Sequence, residues 1–332
     1  MYCAGCTCDF NSDIPDGLRF GFRIDFPNIT HVQTPLNALS INTYSTAFRS
    51  TIEKEITKGR YMGPFPLSLI YDTLGLFQSS PLSLIPKPGR PGKFRLVQNF
   101  SFPSSPNATN PFPSINSAID ANNFPTTWGK FSTVYLLAVR LPQGSEVATR
   151  DVAEAYRIVP LHHSQWPAAV VHTAHSQGCI DTCLAFGASP SAGVYGHVAD
   201  AAAEIFRHHG IGPLDKWVDD HIFFWIKREH IPEYNEAHSK WHCQILIAGP
   251  QQKGGRIWFN GHTAIDGNVE EFNENCSMHI QDLSHSSPRS EHDAAFSYNI
   301  ADIDATSDIL GIPWEASKDQ PFGPTTTYIG FV

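Results

Sequence analysis

Residues 214–226 read LDKWVDDHIFFWI. Two adjacent aspartates, Asp219 and Asp220, stand between Trp217-Val218 and the run Ile222-Phe223-Phe224-Trp225-Ile226, a setting in which charge is costly to bury. In one continuous strand, neighbouring side chains point to opposite faces, so the pair could not serve one site. As the two-residue turn of a hairpin in which LDKWV pairs with HIFFWI, the same residues put both carboxylates at the tip and the apolar arms in the core. Asp tolerates such turns, and on these residues alone a plain surface hairpin explains the pair equally well.

A third carboxylate bears on the choice. SEVATRDVAEAYRIVPL (145–161) reads as a strand that ends at Asp151 and passes into a short helical or irregular segment, with Tyr156 five positions on. Carboxylates brought side by side from two strands repel and raise one another's pKa unless a divalent cation lies between them. Two hard cations about 3.5 to 4 Å apart, held by such aspartates, are the arrangement that runs in-line nucleotidyl transfer.

The chain of 332 residues is 41% hydrophobic and 12% aromatic, which points to a folded protein. No run of 18 apolar residues occurs, and MYCAGCTCDF at the start has neither a basic flank nor an apolar core. The expectation is therefore no signal peptide, no membrane span and an intracellular location, cytoplasmic or nuclear. Seven scattered cysteines fit a reducing compartment better than a disulfide framework. Cys3, Cys6 and Cys8 could ligate zinc, but no paired Cys/His knuckle follows to complete four ligands.

Charge is unevenly divided. Between Asp266 and Asp308 ten acidic residues face Arg289 alone, which accounts for the whole formal net charge of −9. From Thr73 to Ile119 there is no acidic residue, while Lys87, Arg90, Lys93 and Arg95 crowd into nine positions. That basic part can face an anion.

Ile41, Tyr44, Phe48, Ile52 and Ile56 fall at helical spacing with Gly59 beyond, predicting a helix over about 41–58. SLIPKPGRPGKFRLVQNFS (83–101) predicts two short strands around a Pro/Gly turn. Ser189-Pro190 opens a helix that Gly210 ends, and its first half is made of small residues that allow a sheet or a bound strand to approach closely. A helix is expected near 232–243, a hairpin at GRIWFNGHTAI, a helix at ADIDATSDILG and a strand at Tyr328–Val332.

These segments, from about Gly59 to Val332, resemble the motifs of reverse transcriptases, specifically those of LTR-like and tyrosine-recombinase (DIRS-type) retrotransposons of fungal type. RDVAEAYRIVPL resembles motif A, LAFGASPSAGVYG motif B and KWVDDHIFF motif C; GIPWEASKDQPF is similar to motif D and TTTYIGF to the primer grip of motif E. IPKPGRPGKFRLVQNFS resembles the fingers motif that precedes them. The resemblance implies Asp151 and Asp219 as metal ligands with Asp220 a nearby third carboxylate, and Val152 lending a backbone carbonyl. It implies two Mg²⁺ ions, with Mn²⁺ as a substitute. Lys87 and Arg95 would contact the triphosphate of a dNTP, and Tyr156 would exclude a 2'-hydroxyl. Phe186 and Gly187 would line the nucleotide pocket, and Lys318 would protonate the leaving pyrophosphate. Trp217, Asn99 and Ser101 depart from the commoner family residues.

The implied fold is an α+β polymerase right hand, an antiparallel palm sheet packed on helices with fingers, ending before a thumb. The implied organisation is an irregular extension over 1–35, an N-terminal helix and fingers over 36–144, palm motifs A to C over 145–226, an acidic insertion over 227–307 and motifs D and E over 308–332. The implied partners are an RNA or DNA template with its primer. The rival reading is a retroelement remnant or domesticated protein that binds nucleic acid without polymerising, and the intact Asp151, Asp219 and Asp220 speak against it.

Overall fold

The computed structural model describes residues 12–126, 131–174, 176–247, 249–253, 256–263, 265, 267, 269–272 and 279–331. Cys3, Cys6 and Cys8 lie outside them. In chain order come α1 (Ile14–Phe20), α2 (Leu39–Thr43), α3 (Ser45–Thr57), β1 (Tyr61–Pro66), α4 (Leu67–Leu74), β2 (Leu82–Pro86), β3 (Phe94–Gln98), α5 (Phe131–Arg140), β4 (Glu146–Asp151), β5 (Val170–Ala174) and β6 (Gln177–Asp181). Then follow α6 (Ser191–His208), β7 (Leu214–Trp217), β8 (Asp220–Trp225), α7 (Ile231–Leu246), β9 (Pro250–Lys253), β10 (Arg256–Thr263), β11 (Val269–Phe272), α8 (Ile300–Leu310) and β12 (Gln320–Gly323). The fold is mixed α and β, and its sheets are antiparallel. Among the described residues, no helix is long and apolar enough to cross a membrane.

The chain forms two compact units, one taking in Asp13–Pro125 and Glu154–Tyr195, the other Thr126–Ala153 and Gly196–Val332. In the first, strands run β1-β6-β5, and β2 pairs with β3 as a separate hairpin. Leu82 and Leu84 of that hairpin pack with Phe94 and Leu96 against Ile41, Phe48 and Ile52. The helix expected over 41–58 is broken at Tyr44, whose backbone leaves the helical region. The break serves tertiary packing: the Tyr44 ring lies 4.7 Å from that of Phe94, and Ser40 Oγ accepts from Leu84 N at 3.0 Å. Residues 14–20, expected to be irregular, form α1, with Pro15 in its first turn and Gly21 at its end.

The second unit is built on a four-stranded sheet in the order β12-β4-β8-β7. Side chains on β8 alternate, and both faces are covered. Ile222 and Phe224 pack with Val134 and Leu137 of α5 and with Tyr328. Phe223 and Trp225 pack with Phe206 of α6, Ile303 of α8, Phe296 and Tyr298. Coverage of both faces explains why HIFFW reads as a continuous apolar run rather than an alternating one.

The tail of the acidic stretch is part of this core. Tyr298 buries its ring there and donates to the Phe224 carbonyl at 2.8 Å, and Asn299 and Asp302 form a reciprocal capping box on α8. Three of the stretch's ten acidic residues are paired among the described residues, Asp282 with Arg228, Asp302 with Arg289 and Asp304 with Arg150.

Two expected elements differ. GRIWFNGHTAI supplies one strand, β10, not a hairpin, because β9 and β11 pair with its two edges and the register with β11 shifts between Asn260 and Thr263. Of the strand expected at Tyr328–Val332, the described part, Tyr328–Phe331, is a tight turn, closed by Tyr328 N to Phe331 O at 2.8 Å and Phe331 N to Tyr328 O at 2.9 Å, with positive φ at Ile329 and Gly330; Val332 lies outside the described residues. The sheet edge beside β4 belongs to β12 instead.

Candidate active site

In the second unit, β4 and β8 pair from Glu146↔Trp225 to Asp151↔Asp220. Residues directly opposite on an antiparallel pair share a face, so the last rung of this ladder sets two carboxylates side by side. Burial, the charge of Asp219, and a hydrogen bond and charge from Asp151 push the Asp220 carboxyl up to about 7. The resemblance pairs Asp219 with Asp151; in the register it is Asp220 that stands opposite Asp151.

The hairpin turn lies one residue earlier than the sequence suggests. Trp217 pairs with Asp220, so Asp220 is the first residue of β8 and the turn is Val218-Asp219. Val218 adopts φ 57°, a left-handed conformation that costs a β-branched residue on the order of 1–3 kcal/mol. The turn is held in place through the carbonyl of Asp219, which accepts from Val152 N at 3.0 Å and lies 3.1 Å from His221 Nδ1. Asp219 is thereby tied to the residue that follows Asp151.

The loop 313–318 is stitched to the same point. Ala153 N donates to Pro313 O at 2.8 Å, Glu315 N to Asp151 O at 2.8 Å, and Val152 bridges to Trp314. A turn closed by Lys318 N to Glu315 O then delivers the Lys318 ammonium to Asp151, Nζ to Oδ1 2.6 Å. On the opposite face of the sheet Arg150 pairs with Asp304 and Asp319 and lies 4.7 Å over the Trp314 ring. Sequence reading missed Arg150 and His221; an arginine and a histidine inside two apolar strands were the available signal.

All three side chains offer carboxylate oxygen, the donor type that a hard divalent cation takes, and Asp220, pushed up to about 7 by its burial and its neighbours' charge, would give up its proton to such an ion. Among the described residues, no group of three or more His, Cys, Asp or Glu side chains is already arranged to hold a metal ion. Lys318 is the counter-charge at Asp151 in this arrangement.

The first unit carries the other implied residues. On the β2–β3 hairpin Lys87 N donates to Lys93 O and Ile85 lies opposite Arg95. With Leu84, Phe94 and Leu96 facing the core, alternation puts Lys87, Lys93 and Arg95 on the exposed face. The Arg95 guanidinium lies 5.6 Å over the Phe186 ring, and the Tyr156 ring is 4.8 Å from Phe186 and 5.7 Å from Tyr195. Gly187 has φ 117°, and a Cβ there would fall 1.9 Å from the Gln98 carbonyl oxygen. The structure thus brings Arg95, Phe186, Gly187 and Tyr156 together and sets Lys87 on the same hairpin face. The small-residue half of α6 is explained by Phe124, whose carbonyl oxygen would lie 2.4 Å from a Cβ at Gly193.

The turn bearing Tyr156 is anchored by residues that sequence reading passed over. Arg157 is buried, donating to Glu55 from Nε at 3.1 Å and Nη2 at 3.0 Å, to Asp181 at 2.8 Å and to the Leu184 carbonyl at 2.9 Å. Glu154, in a left-handed conformation, is held by Lys54, Lys58 and Arg60. Burial opposes its ionisation, but hydrogen bonds from these three cations hold its carboxyl down at about 2. The signal for Glu55 was its place on the apolar face of α3, with Phe48 and Ile52.

No family model and no curated protein matches the chain. Among solved structures it is similar to the foamy viral protease-reverse transcriptase dRH in complex with double-stranded DNA, at 14% identity and TM-score 0.42, over 65% of this chain and 32% of that one. It is also similar to the prototype foamy virus protease-reverse transcriptase CSH mutant, at 15% identity and TM-score 0.41, over 75% and 28%, and to the foamy viral protease-reverse transcriptase in complex with an RNA/DNA hybrid, at 13% and 0.41, over 65% and 24%. The chain spans about a third or less of the length of these solved chains. A likeness of this degree carries no argument about the site, whose reading rests on its own residues.

Proposed function

We propose that this chain is the catalytic part of an RNA-directed DNA polymerase, extending a primer 3'-hydroxyl with dNTPs on an RNA template. The observation that carries the reading is the rung Asp151↔Asp220 with Asp219 on the adjoining turn and Lys318 on Asp151. The finer kinship, to polymerases of tyrosine-recombinase retrotransposons, rests on the order of the six motifs.

Asp151, Asp219 and Asp220 would hold two Mg²⁺ ions, with the Val152 carbonyl beside them, and the ions when bound supply positive charge to the attacking hydroxyl and to the leaving pyrophosphate. Lys318 holds a proton at Nζ, at a half-exposed position from which a pyrophosphate oxygen can take it. Within the first unit, Arg95 offers a planar fork and Lys87 a mobile point charge for a triphosphate. Tyr156, backed by Phe186 and Tyr195, offers a flat wall against which a 2'-hydroxyl would clash.

Primer extension on an RNA template with dNTPs and Mg²⁺, with Asp219→Asn as the blank, tests the reading. Extension by the native chain and none by the blank is the expected result; equal signal from both overturns it.

A further inference from the structure

We infer that His221 is the positioning residue of the carboxylate cluster, setting the Val218-Asp219 turn through its Nδ1 and so the affinity of the cluster for divalent cations. The inference rests on the two-ion reading above and goes beyond it to a residue that touches neither ion nor substrate.

The geometry is specific. His221 is 1% exposed, and its ring sits among the rings of Trp314, edge-on at 5.3 Å, and Phe223, at 6.2 Å. Its Nδ1 lies 3.1 Å from the Asp219 carbonyl oxygen. A carbonyl can only accept, so Nδ1 carries the hydrogen. The far nitrogen, Nε2, is buried with no hydrogen-bond partner among the described residues. A purely packing role at this place would be better served by leucine or phenylalanine, which leave no polar atom unpaired. What the imidazole adds is one donor, aimed at the peptide that follows Asp219.

That peptide needs holding. Val218 is in a left-handed conformation that its branched side chain disfavours, and an extended alternative would rotate the Asp219 carboxylate off the edge where Asp151 and Asp220 meet. The Asp219 carbonyl is gripped from two sides, by Val152 N of the β4 extension and by His221. Removing the second grip takes from this carbonyl one of the bonds that oppose the relaxation of the turn.

The test is Mn²⁺ binding to the full chain, followed by the electron paramagnetic resonance of free Mn²⁺, in the native chain and in Asp219→Asn, His221→Leu, His221→Gln and His221→Asn. In His221→Asn the new amide nitrogen reaches the place of Nδ1, whereas in His221→Gln the longer side chain displaces its amide toward the place of Nε2. Weakening of about tenfold or more in His221→Leu and His221→Gln, with His221→Asn within about threefold of native, is the expected pattern. Asn and Gln bury similar polar surface, so a merely structural role would shift their thermal midpoints together and would not separate their Mn²⁺ affinities. If His221→Leu does not fold, the Gln and Asn pair carries the comparison. Native affinity in His221→Gln, or an affinity in His221→Asn as low as in His221→Gln, overturns the inference and leaves the two-ion reading standing. No Mn²⁺ binding in the native chain beyond that of Asp219→Asn overturns both.

Discussion

Lys318 Nζ and Asp151 Oδ1 lie 2.6 Å apart, so the side chain assigned as proton donor is held by one assigned as metal ligand. The ammonium is 39% exposed while the carboxylate is 8% exposed, which leaves Lys318 able to turn toward a leaving pyrophosphate. Lys318→Ala should lower the single-turnover rate of nucleotide incorporation by about 100-fold or more, with little change in the apparent affinity for dNTP. An unchanged rate would remove Lys318 from the chemistry.

The raised Asp220 pKa fixes the sign of a stability change. Its carboxyl titrates at about 7 in the folded chain against about 3.9 unfolded, so the folded state holds the extra proton between those values and stability falls as pH rises through that window. Asp220→Asn, neutral at every pH, should therefore match the native chain near pH 4 and exceed it at pH 8 in chelator, by about 1–2 kcal/mol after allowance for solvent screening. Urea unfolding at the two pH values measures the difference. A stabilisation of equal size at both would show that charge is not its cause.

Tyr156 stands between Phe186 and Tyr195, so shortening it opens the wall without removing a charge. Tyr156→Val should raise the efficiency of rNTP relative to dNTP incorporation by about tenfold or more. Unchanged discrimination takes the sugar role away from Tyr156.

Gly187 has no room for a methyl group. With φ 117° and 1.9 Å from a Cβ to the Gln98 oxygen, Gly187→Ala must move the backbone that carries Phe186, and should cost about 3 kcal/mol or more in urea unfolding. A loss under about 0.5 kcal/mol would mean that the β3 edge yields freely.

What could be read from the sequence was whatever local chemistry decides. The β2–β3 hairpin is marked by its Pro/Gly turn and α6 by Ser189-Pro190 and Gly210, while ADIDATSDILG reads as the helix that α8 is and SEVATRD as the strand that ends at Asp151. The turn at Val218-Asp219 was misplaced by one residue because the ladder with β4 draws Asp220 into the strand, and no residue nearby in sequence records that pairing. The break at Tyr44 and the single strand β10 have the same origin in distant partners, Phe94 in one case and β9 with β11 in the other. Arg157 and Glu55 are 102 positions apart, so neither residue type alone reveals that they meet beneath Tyr156.

The sheet order β12-β4-β8-β7 has a consequence for how the protein comes into being. Asp151 and Lys318 are separated by 167 positions, and the strand between β12 and β8 is the one synthesised first. A growing chain can close the β7–β8 hairpin early, but loop 313–318 cannot reach the end of β4 until almost all of the unit has left the ribosome. Contacts of such sequence separation form slowly. Chains cut between Asp220 and Lys318 therefore carry the aspartates without the lysine that pairs with Asp151.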